Sequence, residues 1–514
     1  MSQSNGTVLN AKPKATEVET FSVNTIPDAD RTSKPFDLLR IQFGGANTFA
    51  TVLLGTFPIL FGLSFLQGLA ATVLGLLVGT LFLMPMGIFG PKTGTNNAVS
   101  SGALLGVRGR VVGSFLSLLT AIAFYSISVW VSGDAIVGAL TRMFGIEKTP
   151  FVSSVIYAVI GLIVIVVVVF GYQFMLLINK IAVVFNSVLM LLAVVAFWGV
   201  FDVNFAGTPD ALLLGGFWPT FVLAALVVMS NPISFGAFLG DWSRYIPRET
   251  SNGKLMRATL YAQLATLVPF IFGLATATLV TSSDYVVGLI QASPLWYAVL
   301  LIIVAFIGGL STGTTSLYGT GLDFSSVFPR LSRVQSTILI GALAFVFILA
   351  GRLFFDLLGA VNAFIGAIVV TTTPWMVIMS IGYFVRRGYY DAADLQVFNQ
   401  GKVGGKYWFS AGINWRGMVA WLVSATIGLT FAYYPPVIEG PFNGVAGGVD
   451  LSLITAIGSA AILYILALII WPEPDYVFGP KGSRLVPSRK GAVPVVAHNP
   501  GSAAAKVAAK SKNN

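Results

Sequence analysis

The chain contains no cysteine and one histidine, His498, and only 10% of its 514 residues are charged. Without thiols there are no disulfides, no thiolate nucleophile and no cysteine metal ligands. His498 lies in a tail rich in Ala, Lys and Gly with no second histidine beside it. No two carboxylates read as a pair at mid-span depth, so the usual means of membrane-embedded catalysis are missing and an enzyme is excluded. No segment reads as a secretory leader, and none is expected. The first forty residues are polar and include Lys12, Lys14, Asp28, Asp30 and Arg31, so the N-terminus is expected to stay on the side where it is made.

What the chain has is apolar length. Apolar residues make up 56% of it, with 39 Phe and 55 Gly, and the mean hydropathy is +0.84, far above soluble proteins. A spanning helix needs about 20 mainly apolar residues. Twelve such stretches are predicted, at 42–66, 68–90, 111–141, 152–173, 180–201, 213–239, 257–281, 294–320, 335–351, 357–385, 415–435 and 450–471; they are called spans one to twelve below. An even number puts both termini on one side. That side carries all but three of the 30 Lys and Arg residues, the other keeping only Arg142, Lys148 and Arg352. The positive-inside rule makes the basic side cytoplasmic, so the net charge of +10 reports topology and not nucleic-acid binding. The expected organisation is a cytoplasmic arm (1–40), a transmembrane domain (41–472) in the plasma membrane and a disordered tail (473–514). The loop from Arg386 to Trp415 reads as an amphipathic segment lying on the membrane.

Two spans are interrupted. Span one carries Gly44, Gly45, Asn47, Gly55 and Pro58, and span six carries Asn231, Pro232 and Gly236. Backbone freed at membrane depth is tolerated where it lines a cavity or is buried in protein, so paired interruptions point to a midplane site, with a plain packing kink as the alternative. Span eight contains GGLSTGTTSLYGT at 308–320. Ser311 and Thr314 stand at i and i+3, with Thr315 at i+4, so their hydroxyls can converge as neutral ligands for a hard cation. Interhelical hydrogen bonding would use the same residues.

Charges inside the spans are few. GDWSRYIP at 240–247 places Asp241 and Arg244 at the inner end of span six. It reads either as a helix-end ion pair with Trp242 and Tyr245 in a headgroup belt, or as an inner gate whose charges re-pair. Asp134 is the one acid within span three, ten residues beyond Phe124 and so about 15 Å further outward. It reads as an outer gating group or as a structural one. Asp323 and Asp356, near the ends of spans eight and ten, read as interfacial.

GPKTG (90–94), LGVRG (105–109), SFGAFLGDWSRYIP (234–247), TTSLYG (314–319), and RRGYY with GINWRG within 386–417 together resemble the nucleobase:cation symporter-1 family, in its purine and cytosine permease branch. The similarity runs from about Phe43 to Trp471. The resemblance implies an all-α LeuT-like fold, a five-plus-five inverted repeat with two further helices, importing a nucleobase-like substrate with Na⁺ or H⁺. It places the cation site at the backbone of Gly45 and Thr48 and at Ser311, Thr314 and Thr315. It places the substrate at Phe49, Phe124, Ser128, Ser234, Phe235, Thr312 and Ser316. A flat heterocycle needs π faces, which Phe124 and Phe235 can offer, and in-plane polar groups. Many members carry Trp where Phe124 and Phe235 stand and Asn where Thr312 and Ser316 stand. A hydroxyl cannot make the two-pronged contact of an amide. Another flat heterocycle (allantoin, a hydantoin, a vitamin base) is therefore the second reading, and a channel or sensor a more distant one. Around the inferred site the sequence offers hydroxyls, amides and aromatics and nothing that titrates, which favours Na⁺ over H⁺. No bound cofactor and no obligatory protein partner are expected.

Overall fold

The computed structural model describes residues 23–280, 285–328, 331–354, 357–435 and 438–498; Asp356 lies outside them. Span one begins earlier than predicted. Pro35 opens the helix Pro35–Ala46 with its φ preset, and the Asp37 carboxylate accepts from Lys34 N at 2.8 Å. The helix stops at Asn47, Thr48 is extended (φ −144°, ψ 166°), and a second helix, Phe49–Leu60, leaves at 61° to the first. Span six breaks in the same manner. Phe217–Phe235 ends one turn after Pro232, which has no N–H to bond back along the helix, and the chain resumes as the short helix Leu239–Ser243.

Span two (Phe65–Leu83) runs through a 3-10 turn into Phe89–Thr93. A short helix, Asn97–Leu105, then leads to span three, Val111–Phe144. Spans four, five and seven are Pro150–Phe170, Tyr172–Ala196 and Asn252–Ala277. Span eight, Leu295–Val327, is unbroken and passes its predicted end. It packs along span three and against span five. Asp323, expected at the interface, is carried inside with it and is buried, because the helix runs on without a break to Val327.

Among the described residues nine helices are long and apolar enough to cross a membrane, and the bent pair of span one makes a tenth. The helices predicted as spans nine and eleven are present but shorter in apolar length, Val334–Leu349 and Trp415–Phe431. Spans ten and twelve are Leu357–Val385 and Ser452–Ile470.

The loop after span ten, expected as an amphipathic segment on the membrane, is packed against the protein. It folds back under the turn between spans two and three: Val107 N donates to Tyr407 O (3.2 Å), Arg108 N to Gly412 O (2.8 Å) and Asn414 N to Leu105 O (2.8 Å). The tail up to His498, expected to be disordered, joins it. Glu473 is buried against Arg386 at 2.8 Å and accepts from Asn414 Nδ2 at 2.6 Å, while Arg386 also donates to Ala103 O at 2.6 Å. Lys402–Val403 pairs antiparallel with Ala497–His498. Burial works to lower the Arg386 pKa, but the Glu473 carboxylate, with Tyr464 and Tyr407 near it, holds it above its ordinary value. Composition hid this order because these contacts are with distant parts of the chain.

Candidate functional site

The break in span one frees peptide carbonyls, and each needs a donor in a water-poor interior. Span eight supplies two. Ser311 Oγ lies 2.7 Å from Gly44 O, and Thr312 Oγ1 lies 2.8 Å from Gly45 O and 3.0 Å from Thr48 Oγ1. Span five supplies a third, since Asn186 Nδ2 donates to Asn47 O at 2.6 Å. Asn179, two turns before Asn186 and on the same face, brings its Oδ1 to 2.9 Å from Ser311 Oγ. A methyl at Gly45 would sit 3.1 Å from Thr315 Oγ1, so glycine there lets the break and span eight close together.

Five of the residues assigned by resemblance therefore meet in one cluster of neutral oxygens: Gly45, Thr48, Ser311, Thr312 and Thr315. Thr312, assigned to the substrate, belongs with this cluster by contact. Thr314, assigned to the cation, and Thr315 both bond back to Ser311 O in their own helix, at 3.1 and 2.9 Å, but only Thr315 also faces Gly45. Helical geometry explains the exchange. At about 100° per residue, Ser311, Thr315, Gly308 and Thr312 share one arc of about 100°, and Thr314 falls outside it. The cluster itself is made of hydroxyl, amide and carbonyl oxygens, and among the described residues no three His, Cys, Asp or Glu side chains come together.

The other assigned residues line spans one, three, six and eight, all of them buried. Phe49 opens the second half of span one. Phe124 meets Phe364 in a T-shaped contact at 5.6 Å, and Phe235 meets Trp242 at 5.5 Å and Phe238 at 5.8 Å. The two rings make no aromatic contact with each other. Ser128 and Ser234 bond back to their own helices, at Tyr125 O (2.8 Å) and Asn231 O (2.6 Å). Ser316 follows Thr312 by four residues on span eight. At the second break, Asn97 Nδ2 donates to Gly236 O (2.9 Å) and to Met86 O (3.1 Å).

GDWSRYIP is not a headgroup belt. Asp241, Trp242 and Arg244 are fully buried, with Trp242 packed beneath Phe235. Arg244 Nη2 donates to Tyr318 Oη on span eight at 3.0 Å, and a methyl at Gly319 would lie 2.7 Å from Asp241 Oδ2. Tyr245 stacks on Tyr172 of span five, with centroids 4.0 Å apart and planes at 15°, and Ser33 of the N-terminal arm bonds both: its N–H to Tyr245 O, its hydroxyl to Tyr172 Oη. Asp323, whose Oδ1 accepts from Asn96 Nδ2 at 3.0 Å, lies near Arg110, Arg244 and Asp241. Spans five, six and eight and the arm thus close in one plug on the basic side of Phe235. Asp134 is elsewhere. It accepts from Tyr157 Oη at 2.7 Å and pairs with Lys148 at 3.4 Å, tying span three to span four and the loop before it.

Reading the sequence missed Asn97, Asn179, Asn186, Tyr172 and Tyr318. The amides left a signal, since an asparagine in an apolar helix needs a polar partner; the tyrosines left none.

A family profile described as permease for cytosine/purines, uracil, thiamine, allantoin matches residues 25–454. YxlA of Bacillus subtilis (strain 168), provisionally named a purine-cytosine permease, is 25% identical over 473 residues, covering 87% of this chain and 95% of that one. The cytosine permease of Escherichia coli (strain K12) is 27% identical over 333 residues, 62% of this chain and 71% of its own. Among solved structures, Mhp1, a nucleobase-cation-symport-1 family transporter in a closed conformation with bromovinylhydantoin bound, superposes with TM-score 0.67 at 18% identity, covering 87% of this chain and 94% of that one. A Na⁺-coupled sialic acid symporter superposes with TM-score 0.54 at 17% identity, covering 85% and 90%. The chain has the LeuT-like fold and belongs to the nucleobase:cation symporter-1 family of permeases, multi-pass membrane transporters and not enzymes.

Proposed function

We propose that this transporter imports a nucleobase of the cytosine or purine type together with Na⁺, through the plasma membrane, with both termini in the cytoplasm. The observation that carries the reading is the convergence of Ser311, Thr312 and Thr315 on the broken backbone of Gly45 and Thr48. Such a set of neutral oxygens suits a hard monovalent cation and holds no proton of its own to exchange. The substrate sits beside it, between the rings of Phe124 and Phe235 and the polar groups of spans one, six and eight. Uptake of radiolabelled cytosine in proteoliposomes, competed by purines, pyrimidines and hydantoins, tests the substrate class. Competition by hydantoins alone would transfer the assignment to another flat heterocycle.

Stacking on an aromatic ring is worth about 1–3 kcal/mol per base. Phe235→Ala is therefore expected to weaken equilibrium substrate binding by about tenfold to a hundredfold, measured on purified, monodisperse protein. Wild-type affinity in that variant would remove Phe235 from the site.

Asp241 and Arg244 act in this reading as part of the inner gate, opening when span six parts from spans five and eight. Asp241→Asn should slow uptake severalfold and leave equilibrium binding near wild type. Loss of binding and of expression together would make the residue structural. Asp134, held by Lys148 and Tyr157 on the other side, is the candidate for an outer counterpart.

A further inference from the structure

Where span ten ends, the chain turns sharply and the tail docks against it. Arg387 adopts a left-handed backbone conformation (φ 52°) with its side chain exposed. Arg484 N donates to Val385 O at 2.9 Å, and the Arg484 guanidinium lies 4.6 Å over the Phe384 ring. Two clefts flank this junction. One, of about 250 Å³, lies between Arg387, Tyr389, Phe478 and Lys481. The other, of about 310 Å³, lies between Asn252, Tyr383, Arg387, Lys481 and Arg484. Span seven starts on the same edge, where Asn252 Nδ2 donates to Tyr383 Oη at 2.8 Å, and it adds the exposed Lys254 and Arg257. Among the described residues none of these five basic side chains is in an ion pair.

Beside this basic edge stands an apolar one. Leu485, next to Arg484, is 85% exposed and held at φ 65°, a conformation that leucine rarely adopts, and Phe384 is 47% exposed. In water such a leucine gains nothing from its position. At the boundary of a bilayer the combination is favourable, because the apolar groups meet acyl chains while the cations meet phosphate. The end of a membrane-spanning helix is at that boundary by construction.

We propose that the junction of span ten and the tail is a binding site for the headgroup of an anionic phospholipid, its phosphodiester held by Arg387, Lys481 and Arg484 and its acyl chains lying along Phe384 and Leu485. The site rests only on the chain's spanning a bilayer, so it stands or falls independently of substrate and coupling ion. The left-handed turn at Arg387 aims that side chain into both clefts, and the docked tail delivers the other two.

Native mass spectrometry of the full chain, titrated with dioleoylphosphatidylglycerol or dioleoylphosphatidylcholine, tests the proposal. Phosphatidylglycerol should bind in preference. Replacing Arg387, Lys481 and Arg484 together by Gln should weaken it about fivefold per charge, near a hundredfold in all, with phosphatidylcholine unaffected. Should the triple variant not be monodisperse, Arg387→Gln and Lys481→Gln singly carry the same test, since both side chains are exposed. Leu485→Ser should weaken lipid binding while leaving the cations in place. Unchanged phosphatidylglycerol affinity in the Gln variants would overturn the site. Displacement of the lipid by millimolar inorganic phosphate would overturn the lipid assignment in favour of a free anion.

Discussion

Arg386→Met is expected to cost about 3–5 kcal/mol of stability, because it removes the ion-pair partner of the buried Glu473 carboxylate and leaves it Asn414 and the more distant charge of Arg416. The effect should be read as the apparent thermal midpoint of the purified protein in detergent. Arg386 fastens three things at once: the end of span ten, Ala103 in the helix before span three, and the tail at Glu473. The double variant Arg386→Met, Glu473→Leu removes both charges and should recover most of the loss, since a buried ion pair can be replaced by apolar groups at little net penalty. A single variant as stable as wild type would show that the tail is not clamped where the structure puts it.

Thr312→Val is expected to raise the Na⁺ concentration for half-maximal substrate binding by about tenfold to a hundredfold, the scale of one lost oxygen contact to a charged group at about 1.5–3 kcal/mol. Ser311→Ala should behave likewise. Thr314→Val should change it little, because Thr314 lies outside the arc of span eight that faces the break. The comparison separates contact geometry from family resemblance: a large effect at Thr314 with none at Thr312 would favour the assignment made by resemblance. Coupling is reciprocal, so substrate must tighten Na⁺ by the factor that Na⁺ tightens substrate. A variant that weakens Na⁺ alone keeps its substrate affinity at saturating Na⁺.

Much of this arrangement was legible before any coordinates. The glycines and Asn47 of span one, and Asn231, Pro232 and Gly236 of span six, announced both breaks, because few residues tolerate an interrupted helix in a bilayer. The hydroxyl run of span eight announced the oxygen cluster. What the run does not state is its phase, and a rotation of one residue separates Thr312, at the break, from its neighbours. Charges misled for a related reason. Asp323 and the GDWSRYIP segment stand near predicted span ends, where solvent is the default surroundings of a charge. They are buried because elements distant in sequence converge there: Asn96 before span three, Tyr172 on span five, Tyr318 on span eight and Ser33 in the arm. The tail read as disordered on composition alone, yet Glu473 and the Ala497–His498 strand find partners in the loop after span ten. Periodicity and composition describe local segments, and these contacts are not local.

The central claim is that a sodium ion, and not a proton, drives uptake through the oxygen cluster at the break of span one. Proteoliposomes loaded with potassium buffer and given either an inward Na⁺ gradient at equal pH or an inward H⁺ gradient without Na⁺ decide it. The account predicts accumulation of labelled cytosine above equilibrium with the Na⁺ gradient, none with the H⁺ gradient alone, and a right-shifted Na⁺ dependence in Thr312→Val. Accumulation that ignores Na⁺ and collapses with the pH gradient would contradict it and turn attention to the buried carboxylates of Asp241, Asp323 and Asp134.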